Sequence, residues 1–182
     1  MGCLPAATHD ADGPAAMTER QIRLFGDPVL RSKADPITVK AGDARIRALA
    51  EDLIDTVTPP GRAGVAAPQI GVGLRAFSYN IDGRLGYVFN PVLEVSGEPE
   101  LVDEGCLSVP GFYFPRMRHP FARVTGVDAA GREVVVEGDG LMAQALQHET
   151  DHLDGKLYLE GLEPDIKREA MREVRQAAWF RP

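Results

Sequence analysis

The sequence predicts an α+β fold in which antiparallel β-sheets surround a central helix. Three observations carry that prediction. An apolar repeat at helical spacing (Ile46, Leu49, Leu53, Ile54 and Val57) precedes a middle of short β-type runs separated by turn residues, and a Gly- and Pro-free run over 141–153 returns to helix. The order helix, strands, helix, helix lacks the βαβ alternation of a doubly wound sheet.

The first 21 residues are rich in Ala with Gly, Pro and Asp and lack the basic start and apolar stretch of a secretory signal, so they are read as a flexible tail. Gly26-Asp27-Pro28 marks a turn and Pro36 interrupts the mixed stretch after it, which makes residues 22–35 an irregular arm. Asp43 is the N-cap of the first helix and Pro59-Pro60 its stop. Gly and Pro punctuate residues 61–73, predicting a shaped loop beside a site. Strands are expected around 74–80 and 87–95, and 123–128 pairs with 132–137 across Ala129-Ala130-Gly131. The stretch from Glu104 to Pro110 suits a tight, exposed turn more than a core strand. Gly138-Asp139-Gly140 opens the second helix and Gly155 closes it. Residues 165–178 alternate acidic and basic side chains with few apolar ones, the pattern of a solvated or lightly docked helix. The chain thus divides into a tail (1–21), a catalytic domain (22–164) and a C-terminal helix and tail (165–182).

At 182 residues the chain can bury one sizeable core, and no apolar run approaches the roughly 20 residues of a membrane span. A net charge of −7 disfavours broad attachment to nucleic acid, so no specific DNA partner is expected. Two cysteines, Cys3 and Cys106, cannot build the disulfide framework of a small secreted domain, and a reducing compartment, the cytoplasm, fits better.

In His148-Glu149-Thr150-Asp151-His152 the histidines stand four apart, so on a helix both imidazoles leave one face and one metal ion can bridge them. Glu149 beside them suits acid–base work on a metal-activated water rather than ligation. A catalytic site of this kind commonly takes three protein ligands, and the candidates for the third are His9, His119 and Cys106. A lone cysteine is by default a small buried hydrophobe, but a metal nearby reverses that reading. As thiolate, Cys106 would complete a Cys/His/His set with one position open. Zinc proteases share the helical motif, and the thiolate ligand argues against that rival.

Three motifs in order, Gly64-Val65-Ala66-Ala67-Pro68-Gln69-Ile70-Gly71, Glu104-Gly105-Cys106-Leu107-Ser108 and Gln147-His148-Glu149-Thr150-Asp151-His152-Leu153-Asp154-Gly155, resemble those of the peptide deformylase family. The resemblance runs from about Arg23, in Leu24-Phe25-Gly26-Asp27-Pro28-Val29-Leu30-Arg31, to about Leu162. Arg62 departs from it, standing where the family usually has Gly, with Gly61 beside it to compensate.

The resemblance implies a deformylase-like fold and hydrolysis of the formyl group from the initiator methionine of nascent peptides in a bacterial cytoplasm. It implies Cys106, His148 and His152 as ligands of Fe2+, with Zn2+ or Ni2+ as replacements in purified protein, and Glu149 as proton shuttle. It also implies that the side-chain amide of Gln69 and the backbone N–H of Leu107 stabilise the oxyanion. Gly64 would let a peptide backbone approach and pair along an edge, and Gly105 would free the turn at Cys106. Leu141 and Ala145, seven and three residues before His148, are candidates for the methionine pocket, and Gln144 between them is an awkward wall. Arg116 and Arg118 could brace the strand that carries Cys106 or meet the substrate backbone, a surface role fits at least as well, and Glu104 is a candidate partner for one of them. Asp151 and Asp154 could orient the ligand histidines, but charged residues near a helix end more often face solvent, and both are left out of the site. The basic residues Lys167, Arg168, Arg172, Arg175 and Arg181 make the ribosome a candidate partner of the C-terminal helix, against the plainer reading of a solvated surface.

Overall fold

A computed structural model describes residues 18–180, so the readings placed on Cys3, His9 and Arg181 lie outside the described residues. Helix α1 (Ala44–Val57) starts where Asp43 accepts a hydrogen bond from Arg45 N, and it buries Ile46, Leu49, Leu53 and Val57. Strand β1 (Gly64–Ala66) and a 3-10 turn (Ala67–Ile70) occupy the punctuated loop. Next come β2 (Ala76–Ile81) and β3 (Arg84–Ser96), joined at Asp82-Gly83, where both residues take positive φ, 51° and 76°. That turn conformation matches the twist of paired strands.

Strands β4 (Glu100–Cys106) and β5 (Val109–Arg118) form a two-stranded sheet of their own. Here the structure extends the expected turn: Leu107 and Ser108 make it, but long strands flank it on both sides. Strands β6 (Phe121–Val127) and β7 (Glu133–Asp139) pair in the expected register, Arg123 opposite Glu137. Helix α2 (Gly140–Leu153) carries the histidine motif, and α3 (Pro164–Val174) stops short of Ala178.

The main sheet runs β1-β2-β3-β6-β7, all antiparallel. Alternation along its strands sends neighbouring side chains to opposite faces. Phe77, Val88, Val124 and Val136 meet Met142 and Leu146 of α2, while Ala76 and Phe89 meet Leu49, Leu53 and Val57 of α1. Helix α2 is therefore central, with sheet on one side and the β4–β5 hairpin beside it. A third cluster joins Val109, Tyr158, Leu159, Ala170 and Val174, which docks α3 on the hairpin.

Residues 18–20, assigned above to the tail, are held against α1. Thr18 N donates to Asp55 Oδ2 at 2.8 Å, Arg20 N to Thr56 Oγ1 at 3.0 Å, and Glu19 pairs with Arg62 at 2.6 Å. No helix among the described residues is long and apolar enough to cross a membrane.

Candidate metal centre and its cavity

The four-residue spacing on α2 brings the two imidazoles together, Nε2 to Nε2 at 3.1 Å. Cys106 arrives from the end of β4, its Sγ 3.3 Å from His152 Nε2. All three ligand atoms lie within 4.8 Å of one another, and this is the group that could hold a metal ion among the described residues. A tetrahedral shell with ordinary metal–nitrogen and metal–sulfur bonds spaces its ligand atoms about 3.3–3.6 Å apart, so the donor set fits a single ion.

The hydrogen-bond partners support the same fit. Glu104 Oε1 lies 2.7 Å from His148 Nδ1, which places a proton on that nitrogen and leaves Nε2 with its lone pair towards the centre. Burial opposes a proton on His148 Nε2, but the charge on Cys106 and the hydrogen bonds that His148 donates to Cys106 and Glu104 raise its pKa well above the ordinary value, and a bound cation would take that proton's place. Burial and the His148 charge hold His152 well below its own. Two imidazoles set edge to face and the Cys106 sulfur thus gather around a place suited to positive charge.

Glu149 stands beside the triad, 3% exposed, and its Oε2 is buried without a hydrogen-bond partner. Burial pushes this carboxyl up to about 7, and a cation next to it would draw it down again. Leaving a buried carboxyl oxygen unpaired costs about 1–3 kcal/mol or more, so its retention calls for a role. Gln69, 1% exposed, is held at both ends of its amide: Oε1 accepts from Ala66 N at 2.9 Å, and Nε2 lies 3.2 Å from Ser108 Oγ and 3.6 Å from Cys106 Sγ. Gln69, Glu104, Cys106, His148 and Glu149 face a cavity of about 390 Å³ that Leu107 also lines.

Residues 19–168 match the family model of polypeptide deformylases. The chain belongs to that family. It is 48% identical over 163 residues to a peptide deformylase of Acidothermus cellulolyticus, covering 90% of this chain and 89% of that one. A peptide deformylase crystal structure from Legionella pneumophila superposes with a TM-score of 0.79 at 35% identity, over 87% of this chain and 95% of that chain. One from Ehrlichia chaffeensis, in complex with actinonin, gives 0.78 at 30% identity, over 90% and 100%. The deformylase family is one of metal-dependent hydrolases, in keeping with the Cys106, His148 and His152 cluster.

Several side chains in and around this cavity stand differently from their sequence-based reading. His119 lies outside the triad, its Nδ1 2.8 Å from Gly97 O. Gly105 takes no positive φ; its bare Cα accommodates the Tyr113 ring, whose nearest carbon would be 2.6 Å from an added Cβ. At Gly64 an added Cβ would collide with the Glu149 carboxylate, so this glycine makes room for Glu149 as well as for anything entering the cavity. Ala145 is buried and Leu141 is 53% exposed at the mouth. Gln144 lines the cavity with its stem and turns its amide to Asp103 O, 3.0 Å away, which resolves its awkward position. Gly61 takes φ 85°, and Arg62 folds back to donate to Thr56 O at 2.5 Å near the end of α1. The glycine supplies the turn, and the arginine departure becomes a helix cap.

The charged network behind the triad is the part that the sequence reading undervalued. Arg118, 6% exposed, grips Glu104 with two hydrogen bonds of 2.6 and 2.8 Å and reaches Asp151 Oδ2 at 2.8 Å. Arg116 meets the same Asp151 oxygen at 2.9 Å and Tyr158 O at 2.9 Å. Burial works against the charge on Glu104, but Arg118 and His148 outweigh it and hold the carboxyl well below the usual carboxylate range. Asp151 thus belongs to the site's support, whereas Asp154 pairs with Arg75 at 2.9 Å. Ser108, fully buried beneath Gln69, was not singled out either; a serine in a turn carries no mark of its partner.

Proposed function

We propose that this cavity is where the chain hydrolyses the formyl group from the N-terminal methionine of nascent peptides, releasing formate. The observation that carries the reading is the unpaired Glu149 carboxylate beside the Cys106, His148 and His152 cluster, with the Gln69 amide aimed at the same point. A divalent ion held by Cys106 Sγ and the Nε2 atoms of His148 and His152 would supply Lewis acidity and a water activated near neutral pH. The ion is proposed as Fe2+, with Zn2+ or Ni2+ as replacements in purified protein.

Glu149 takes the proton from the attacking water and delivers it to the departing amine nitrogen as the formyl C–N bond breaks. Gln69 Nε2 and the Leu107 N–H donate to the formyl oxygen as negative charge builds on it. Fixing the Gln69 amide by its Oε1 means that little reorganisation is needed at that moment. Gly64 admits the substrate backbone, and Leu141 and Ala145 form an apolar wall for the methionine side chain. Residues 22–164 are read as the catalytic unit, working in the cytoplasm, and the basic face of α3 as a contact to the ribosome.

The reading is tested by incubating the iron-loaded protein with formyl-Met-Ala-Ser and with an unformylated peptide. Formate and a free amine are expected from the first only. Cleavage of an internal peptide bond would overturn the reading in favour of a metallopeptidase.

A further inference from the structure

The two proposed oxyanion donors come from elements of different sheets. Gln69 lies in the 3-10 turn that follows β1 of the main sheet, and Leu107 in the turn between β4 and β5. One segment, at the head of the N-terminal arm, bonds to both turns. Arg23 N donates to Gln69 O at 2.7 Å, and Phe25 N donates to Ser108 O, next to Leu107, at 2.8 Å. Two residue steps, a span of at most about 7 Å, separate these donors. Residues 23–25 are thus a short strap between the turns.

Side chains root the strap on both sides. Ile22 packs into the cluster that holds Ile70 and Leu107, and Phe25 into the one that holds Cys106 and Val109. Phe180, beyond α3, stacks on Phe25 with ring centroids 5.8 Å apart and planes at 27°. The Gln69 side chain crosses the same gap from within, its Nε2 3.2 Å from Ser108 Oγ.

We infer that Phe25 is a positioning residue for the oxyanion donors, an inference that rests on the deformylase reading above. Its ring anchors the strap, and the strap sets the place of Gln69 relative to the Leu107 N–H. Donors stabilise a developing oxyanion without reorganising only when their separation is fixed beforehand. A misplacement of about 1 Å costs on the order of a hundredfold in rate. Loosening one ring outside the cavity should therefore be felt in the chemical step.

The test measures kcat and KM for formyl-Met-Ala-Ser, metal content and amide hydrogen exchange in Phe25→Ala and Phe25→Leu, and repeats Phe25→Ala in a Gln69→Ala background. Phe25→Ala is expected to keep its metal, to hold KM within about twofold and to lose about ten- to thirtyfold in kcat. Phe25→Leu refills the cluster and should recover to within about threefold of the wild type. In the Gln69→Ala background Phe25→Ala should cost no more than about threefold, because one of the two donors that the strap aligns is gone. Fragments that contain Gln69 and Leu107 should exchange faster in Phe25→Ala, and those of β6 and β7 at the wild-type rate. Phe180→Ala removes the stacked ring from the other side and serves if Phe25→Ala folds poorly, with kcat falling in the same sense. An equal loss in both backgrounds would overturn the inference. So would a lower urea midpoint with wild-type kcat per metal-loaded molecule, which would mark Phe25 as packing alone. Failure of the wild type to release formate would overturn the deformylase reading and this inference with it.

Discussion

Helix α2 and the β4–β5 hairpin both supply the candidate metal centre, but they hold their ligands by opposite means. On α2, the spacing of His148 and His152 and the regularity of the helix are enough to bring two Nε2 atoms to 3.1 Å. Cys106 sits at the end of a strand whose main-chain partners are confined to one hairpin, and its place depends on contacts made far along the chain. Arg118 and Arg116 tie that hairpin to Asp151 of α2, and Glu104, two residues from Cys106, meets His148. The helix provides chemistry on a self-sufficient scaffold, whereas the hairpin is positioned by buried charge.

Perturbing one region at a time separates these means. The largest effect on turnover is expected from Glu149→Ala on the helix. Metal content should hold while kcat falls about 10²–10⁴-fold, measured by formate release beside elemental analysis; full activity in this variant would remove Glu149 from its role. Stability should hold or rise, because the buried carboxyl oxygen that is lost has no partner. On the hairpin the balance reverses. Arg118→Ala strands the Glu104 carboxylate in a buried site, and breaking such a pair costs about 3–5 kcal/mol, to be read from the urea midpoint together with weakened metal retention. A wild-type midpoint would show that buried charge is not what holds the hairpin. The smallest effect belongs to α3, where Arg172 pairs with Glu169 at 3.4 Å with 69% and 62% of the two side chains exposed. Arg172→Ala should change stability by no more than about 0.5 kcal/mol and, on the ribosome reading, reduce co-sedimentation with ribosomes; unchanged co-sedimentation would remove Arg172 from that surface.

The same contrast governs what could be read without coordinates. Helices α1 and α2, the register of β6 with β7 and the triad itself are legible in local periodicity and motif spacing. The hairpin strands are obscured by Gly105 and Pro110, which read as turn residues. The structure accommodates Pro115 because the Asp103 carbonyl opposite it bonds to Gln144 instead. Arg116, Arg118 and Asp151 look like surface charges until partners 14 to 42 residues away are brought to them. Sequence patterns report the helix that a residue belongs to far better than the ion pair that buries it.

Trp179, the sole tryptophan of the chain, donates its indole N–H to Pro110 O at 3.1 Å and stands edge-on to Phe112, with ring centroids 6.3 Å apart. Both partners lie on β5, just past the turn next to Cys106. The protein therefore carries its own optical probe of the hairpin: one fluorophore, excited at the red edge of the protein spectrum, whose emission tracks the docking of the segment that delivers the sulfur ligand.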